Sequence, residues 1–389
     1  MQALDELFGG HFMSEVRDPY RAYARLRRDE PVKLLDLPLA PGYMITRYED
    51  VVTVLKDAAL FSSSANAKGI GLVMGRTILE MDGKEHTQHR NIVSMAFVPK
   101  ALQGEFPSVI DRLAHEMIDG FVRDGHVDLV ARFTRTFPLR VIAHMIGVPI
   151  QDYETFKRWS LDLIGFADDP PRGFEAAGQL VEYLRPIVES RRMERRGDLL
   201  STLVHADVEG HRLSDEEIFS FLRLLLPAGS DTTYRLIGSA LFGLLTHPKQ
   251  LDAVRADRSL IAGTIEETLR WEAPVQLASR ETTAPTVLAG VELAAGAQLL
   301  TALGSANRDE RRFDDPDRFD IHRRIDEHVA FGFGRHFCLG AHLARLEAAA
   351  ALNAVFDRLP NLRPDAAQES FVAGLAFRSP NRLPVVFDA

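Results

Sequence analysis

The segment FGFGRHFCLG, residues 331–340, contains the chain's one cysteine, Cys338. Three glycines lie near this cysteine, and an amphipathic stretch typical of a helix follows it at residues 339–359. A cysteine at a helix N-terminus lies at the positive end of the dipole among free backbone N–H groups, and both favour the thiolate over the thiol. The segment therefore predicts a thiolate, which is a strong ligand for iron.

The residues around Cys338 are also suited to a flat macrocycle. Gly334 and Gly340 remove side chains where such a ring would approach the backbone. Phe331 and Phe337 can exclude water from the sulfur. The alternative is a buried structural cysteine after a glycine turn, and the joint occurrence of these features at fixed spacing argues against it.

The segment resembles the haem-ligand loop of the cytochrome P450 family, whose pattern is F-x-x-G-x-x-x-C-x-G. Phe331, Gly334, Cys338 and Gly340 fill every fixed place. The resemblance extends from about residue 18 to the C-terminus, with further motifs in the family's order. It implies a mainly α fold with small β-sheets, in which haem b lies between a long central helix and the helix after the cysteine loop. Cys338 would be the axial ligand of the haem iron.

Composition limits the possible functions of the chain. Its 389 residues include 46 Lys+Arg and 55 Asp+Glu, for a formal net charge of −9. A mildly acidic chain has no electrostatic reason to bind nucleic acid or anionic lipid. No apolar run approaches the roughly 18 residues that a membrane helix needs, and the acidic N-terminus does not resemble a signal peptide. We expect a cytoplasmic protein, which agrees with one cysteine and no internal disulfide.

Helical periodicity dominates the chain, and no repeat or flexible linker divides it. We expect one haem domain over residues 1–389 with no fused reductase. Predicted helices cover residues 18–28, 49–57, 102–124, 130–146, 174–192, 215–246, 248–256, 260–271 and 339–359. Predicted extended pieces are short, at residues 42–46, 287–293, 298–302 and 383–387. Residues 305–325 lack periodicity, and a loop this long is usually functional.

The sequence LLLPAGSDTT, residues 224–233, resembles the centre of the family's long helix over the open face of the haem. An adjacent carboxylate and hydroxyl in an apolar helix can relay protons, so Asp231 and Thr232 are the candidate catalytic residues. By resemblance, Ala228 and Gly229 border the haem. Gly229 also weakens the helix locally and leaves room for dioxygen and water. The alternative is that Thr232 only donates to the carbonyl of Ala228 and bends the helix.

Pro227 departs from the family's pattern. It lacks an N–H group and clashes with the carbonyl one turn earlier, at Arg223. The sequence therefore predicts a kink one turn before the oxygen site.

A second set of residues is expected to hold the haem propionates. His86 and Arg90 lie at i and i+4 on one predicted helix face, and buried anions need cations or hydrogen-bond donors. By resemblance these two contact the propionates together with Arg280 and His336. Any one of these four residues, considered without the others, would be interpreted as a solvated cation at the surface. His89 has no assigned role and is expected at the surface.

Glu267 and Arg270 match the family's E-x-x-R motif and share a helix face at i and i+3. Downstream, DPDRF at residues 315–319 resembles the family's meander motif. By resemblance, Arg318 completes a buried triad with Glu267 and Arg270 that locks the cysteine loop.

The resemblance implies a haem-thiolate monooxygenase that inserts one oxygen atom from O2 into a small hydrophobic organic substrate. Two electrons would come from a separate ferredoxin and its NAD(P)H-dependent ferredoxin reductase, with Arg335 and Arg345 near the docking surface. The alternatives are a peroxide-driven thiolate-haem peroxygenase, a haem-binding sensor without turnover, and a helical interaction protein. By resemblance, the substrate pocket is lined by the stretch before Met81 and by residues 166–174, 224–228, 275–278 and 374–377. These stretches are largely apolar, with Gln276 and the pair Asp168 and Asp169 as polar exceptions.

Overall fold

The computed structural model describes residues 2–9, 16–36, 40–98, 102–149, 152–167, 169–325 and 327–389. Asp168, which was expected near the pocket, lies outside these residues. The helices are α1 Leu4–Phe8, α2 Tyr20–Asp29, α3 Tyr48–Lys56, α4 Gly71–Met74, α5 Gly83–Ser94, α6 Phe106–Asp119, α7 Phe137–Ile146, α8 Tyr153–Ile164, α9 Pro170–Met193, α10 Leu199–His205, α11 Asp215–Thr246, α12 Pro248–Ala256, α13 Leu260–Trp271, α14 Leu303–Ala306 and α15 Ala341–Arg358.

The strands are short and form small sheets. They are β1 Gln2–Ala3, β2 Val32–Asp36, β3 Pro41–Ile45, β4 Phe61–Ser62, β5 His126–Asp128, β6 Leu277–Thr282, β7 Thr286–Leu288, β8 Val291–Leu293, β9 Gln298–Ala302, β10 Arg363–Pro364, β11 Val372–Ala373, β12 Ser379–Pro380 and β13 Pro384–Val386. The largest sheet has the order β1-β2-β3-β9-β6-β4. Gly42 pairs in parallel with Gln298, and Leu277 pairs antiparallel with Ala302.

Helix α11 runs through the centre of the helical region. It begins at a capping box in which Ser214 and Glu217 satisfy each other's backbone N–H groups. It packs against α7, α8, α9, α12, α13 and α15, and its apolar residues belong to the largest hydrophobic core cluster. A helix that is buried on almost every side needs apolar residues all around its axis, which its sequence provides. Pro227 lies inside the helix, which continues on both sides of it.

The mainly α prediction is confirmed, and several helix ends lie at the predicted residues. The predicted helix at 130–146 is instead a π-helical turn, Val130–Thr134, followed by α7. Pro138 explains the break, because it can occupy the first turn of a helix but cannot continue one. Prediction missed α10, which is too short to show periodicity. It also missed α8, whose buried Tyr153, Phe156 and Trp159 recur every three residues. Among the described residues, no helix is long and apolar enough to cross a membrane.

Candidate active site

The cysteine loop is shaped by glycines and closed by a backbone hydrogen bond. The N–H of Cys338 donates to the carbonyl of Phe331 at 2.8 Å. Gly334 has φ +69°, and a Cβ there would lie 3.0 Å from the carbonyl oxygen of Leu55 in α3. Gly334 is therefore required by the turn and by packing against α3. A Cβ on Gly340 would have nothing within 4 Å, so the space beside this glycine is open.

The side chain of Cys338 is exposed, although surrounding protein still desolvates the sulfur. This desolvation raises the pKa of the Cys338 thiol above its ordinary value, while the Gly340 N–H and the charges of Arg90 and Arg345 act to lower it. The expected stabilisation of the thiolate is present but is outweighed in the protein alone. A bound metal ion deprotonates a coordinating thiol outright. The amide and the two guanidinium groups would then stabilise the resulting thiolate.

Helix α11 has one open position in its buried central turns. Ala228 is exposed, and Gly229 and Thr232 are half-buried, although the residues around them are buried. Ala228 and Thr232 share a helix face because they are four residues apart. The hydroxyl of Thr232 donates to the carbonyl of Ala228 at 2.8 Å. This hydrogen bond is the one expected if Thr232 only bends the helix. It leaves the hydroxyl oxygen of Thr232 free to accept a further hydrogen bond.

Asp231 forms a buried ion pair that prediction missed. Arg235 donates to both of its carboxylate oxygens, at 2.7 Å from Nε and 3.2 Å from Nη2. Burial lowers the pKa of Arg235, but Asp231 and Tyr234 raise it more, so the guanidinium stays charged. The i, i+4 spacing of Asp231 and Arg235 was the available signal. Asp231 also lines a small cleft together with Lys157 and Ser160. The residue therefore borders this cleft in addition to pairing with Arg235.

The expected propionate partners come together from three separate elements. The rings of His86 on α5 and His336 in the cysteine loop lie 4.2 Å apart between centroids. His336 Nε2 is 3.3 Å from Oδ1 of Asp82, a residue that prediction missed although it occupies the N-cap position of α5. Burial lowers the pKa of His336 to about 4, with Arg280 and His86 contributing. His336 is therefore neutral near pH 7.

Two arginines complete this cluster. Arg90 donates from Nη2 to the carbonyl of Phe337 at 2.6 Å, which joins α5 to the cysteine loop. Arg280 on β6 is buried, and burial lowers its pKa although Asp82 opposes this. Among the described residues, neither guanidinium has a carboxylate within ion-pair distance. His89, one residue before Arg90, is buried against Glu217, so the prediction that it lies at the surface is wrong.

The residues fit a haem. His86 Nε2 is buried and has no hydrogen-bond partner in the part of the chain that the structure describes. Carboxylates are the groups that would satisfy such a nitrogen and two guanidinium groups with no carboxylate partner. An exposed thiol beside the open space at Gly340 is available as an iron ligand.

Glu267 and Arg270 form a fully buried bidentate pair, with both N–O distances at 2.8 Å. The third partner is Arg323, whose Nε lies 3.3 Å from Oε1 of Glu267. The prediction of Arg318 in this position is wrong. The side chain of Arg318 is exposed and pairs with Asp315 and Asp320, and only its backbone carbonyl accepts from Arg270.

Two of the stretches expected to line the substrate pocket, residues 275–278 and 374–377, are adjacent in the structure. Val275 and Phe377 form an isolated β-bridge. Gln276 is fully buried beside Gly304, where a Cβ would overlap its amide, and its Nε2 donates to the carbonyl of Ala273. This residue therefore packs into the protein, which leaves the bridged stretches more apolar than expected.

Comparison with known proteins shows the family and the fold. The family model "Cytochrome P450" matches residues 163–369. The chain is 37% identical over 367 residues to the vitamin D(3) 25-hydroxylase of Pseudonocardia autotrophica, covering 92% of this chain and 89% of that one. The structure of CYP109Q5 from Chondromyces apiculatus matches with a TM-score of 0.89 and 37% identity, covering 96% of each chain. CYP109E1 from Bacillus megaterium in complex with testosterone matches with a TM-score of 0.88 and 32% identity, covering 96% of this chain and 100% of that one.

Fold and site together define an oxidoreductase built around haem. The chain belongs to the cytochrome P450 family, and it is a P450 monooxygenase with a haem cofactor.

Proposed function

We propose that this monooxygenase holds haem b through Cys338 and inserts one oxygen atom of O2 into a small hydrophobic substrate. The balance is one substrate, one O2, two electrons and two protons giving hydroxylated product and water. The observation that carries the proposal is the open position at Ala228, which lies beside Asp231 and Thr232 in a helix that is otherwise buried there.

The chain's own residues would hold the cofactor. Cys338 would bind the iron. Arg90 and Arg280 would neutralise the two propionates, and His86 and His336 would hydrogen-bond them. The haem supplies the reductive activation of dioxygen when it is bound, and a thiolate ligand favours O–O cleavage. The protein's tasks are to orient substrate, exclude water and deliver protons.

Proton delivery would begin at Asp231. Its carboxylate lines a cleft beside Lys157 and Ser160, where protons can enter, but Arg235 holds both of its oxygens. The ion pair must therefore open, at least in part, before the carboxylate can carry a proton. No hydrogen bond joins Asp231 to Thr232 within the described ranges, so a water molecule or a rotation of Asp231 would connect them. The hydroxyl oxygen of Thr232 would accept a hydrogen bond from that water while its O–H donates to the carbonyl of Ala228.

We propose that the substrate has the size and polarity of a steroid. The other hydrophobic classes considered are terpenoids, fatty acids and aromatics. The apolar bridge between Val275 and Phe377, and the inward packing of Gln276, support a hydrophobic pocket. One relative is named for vitamin D(3) 25-hydroxylation, and another was crystallised with testosterone. Titration of the haem protein with steroids and with long-chain fatty acids, followed by the substrate-induced Soret shift, would test this. A shift with the fatty acids alone would contradict it.

We propose that residues 1–389 form one haem domain that works in the cytoplasm with a separate ferredoxin and reductase. The matched relatives have similar length, with 89% to 100% of each covered. Arg335 is exposed and available to an acidic carrier. Arg345 is bound by both oxygens of Glu266, at 2.6 and 2.9 Å, so it is less available than expected.

The test is reconstitution. Haem-loaded enzyme with NAD(P)H alone should not form product, and addition of a ferredoxin with its reductase should start turnover. Hydrogen peroxide without the carrier serves as the comparison. Efficient turnover by the isolated chain with NAD(P)H would contradict the need for a carrier, and faster turnover with peroxide would favour the peroxygenase.

A further inference from the structure

A second cluster of ligand-type side chains includes His89 of α5. A ring nitrogen of His89, a ring nitrogen of His211 and a carboxylate oxygen of Glu217 all lie within 4.8 Å of one another. The three residues come from α5, from the turn after α10 and from the first turn of α11. They are separate from the cysteine loop, and neither the motifs nor the proposed reaction uses them.

The hydrogen bonds of His89 orient it as metal-binding histidines are oriented. Its Nδ1 lies 3.0 Å from the carbonyl oxygen of Glu85, which can only accept, so Nδ1 carries a proton. In the neutral ring, Nε2 then carries a lone pair and faces Oε1 of Glu217 at 2.7 Å. Two lone pairs at this distance repel, so a proton lies between them. A metal ion in place of this proton would hold the two atoms about 3.3 Å apart, given metal–ligand distances near 2.0–2.1 Å in tetrahedral geometry. Metal-ligating histidines usually donate their other N–H to a carbonyl or carboxylate, as His89 does.

Glu217 presents one oxygen to the cluster and uses the other elsewhere. Its Oε2 accepts from both the backbone N–H and the hydroxyl of Ser214, at 2.7 Å each. These two hydrogen bonds therefore hold the carboxylate of Glu217 in place.

His211 provides the second independent observation. Its Nε2 is buried and has no hydrogen-bond partner in the described chain. Its ring lies 5.0 Å from the ring of His89 between centroids. A polar nitrogen without a partner at a buried position is costly unless something satisfies it.

We propose that His89, His211 and Glu217 bind a divalent transition-metal ion, with zinc as the best match. Two imidazoles and one carboxylate form a known zinc ligand set, and a water molecule takes the fourth position. The metal would displace any proton shared between His89 and Glu217, which links binding to proton release. It would tie α5, which carries His86 and Arg90, to the start of α11.

The competing arrangement is a protonated His89 paired with Glu217, with His211 unused. Arg76 lines the same small cleft as His89 and Glu217, and its charge opposes a metal ion there. However, Arg76 is held by both oxygens of Glu85, at 2.7 and 2.6 Å. This pairing reduces the repulsion that a bound cation would feel.

The test uses haem-loaded enzyme without a histidine tag, cleared of metal with a chelator and dialysed against Zn²⁺. Zinc and iron are then measured in the same sample. We expect one saturable zinc per chain, and His211→Gln should weaken its binding at least about tenfold with iron content unchanged. The matched control is His322→Gln, because His322 is exposed and lies outside the cluster. It should bind zinc as the parent does.

Equal zinc affinity in His211→Gln and in the parent, or no saturable binding below about millimolar zinc, would overturn the proposal. If His211→Gln does not fold, His89→Gln replaces it. Crystals of the parent soaked in zinc should show an anomalous peak among the three side chains at the zinc edge. A peak only at other positions would also overturn the proposal.

Discussion

Arg323 donates from Nε to Oε1 of Glu267 at 3.3 Å, and this contact ties the segment before the cysteine loop to α13. The other nitrogens of Arg323 donate to the carbonyls of Asp314, Asp315 and Arg318. One guanidinium therefore satisfies a buried carboxylate and three backbone groups of an irregular loop. Such a loop cannot hold its shape without partners for these groups.

The first prediction separates Arg323 from Arg318. Arg323→Ala should lower the free energy of unfolding by about 3 kcal/mol, because it removes one partner of a buried ionic network. It should also reduce haem content, since the loop that positions Cys338 follows directly. Arg318→Ala is the control and should change stability by about 0.5 kcal/mol or less, since its side chain is 61% exposed. Denaturant unfolding and haem-to-protein ratios measure both, and equal losses in the two variants would restore Arg318 to the triad.

The second prediction concerns the iron ligand. Reduced enzyme with carbon monoxide should show the strongly red-shifted Soret band of a thiolate complex. Cys338→Ser should lose this band, because a serine hydroxyl does not replace the thiolate. Optical spectra of the two proteins at equal haem content are the measurement. A variant that kept the band would show that the thiolate ligand is not Cys338.

The third prediction concerns proton delivery. Asp231→Asn should slow product formation by about 100-fold, the usual scale for a positioned acid–base group, with haem content and substrate affinity near normal. Thr232→Ala should continue to consume NAD(P)H but release peroxide in place of product. NAD(P)H, peroxide and product are measured in one reconstituted reaction. Unchanged turnover in Asp231→Asn together with full coupling in Thr232→Ala would assign both residues to helix structure alone.

The fourth prediction is a pH dependence of stability at Glu347 on α15. Both carboxylate oxygens are buried without hydrogen-bond partners among the described residues, and burial raises the pKa of Glu347 well above its ordinary value. Above about pH 4.3, the unfolded chain loses this proton while the folded protein keeps it. Folding stability therefore falls as pH rises, by up to about 1.4 kcal/mol per pH unit, until the folded pKa is reached.

Glu347→Gln removes this penalty because an amide does not titrate. Its stability advantage over the parent should increase from about pH 5 to about pH 7, a range that lies above the unfolded pKa of about 4.3, as measured by denaturant unfolding. Glu189→Gln, at an exposed position on α9, should show no such trend. If the free energies of unfolding of Glu347→Gln and the parent changed equally with pH, the carboxyl of Glu347 would not be neutral in the folded protein.

The sequence alone predicted the features that depend on short spacing. The loop from Phe331 to Gly340 is continuous in the chain, and its glycines and cysteine could be found as one pattern. Glu267 and Arg270 lie one turn apart on a helix, so their pairing follows from helical geometry. The limits of α11, α12 and α13 follow from apolar periodicity and capping residues.

Only the tertiary structure decided the contacts between distant segments. Arg318 and Arg323 lie in the same aperiodic loop, and the choice between them depends on which side chain the folded loop turns inward. His89 was expected at the surface, but Glu217 lies beside it only because α5 packs near the start of α11. Sequence periodicity encodes neighbours within one helix, whereas contacts between helices and loops depend on the packing and hydrogen-bond requirements of the whole chain.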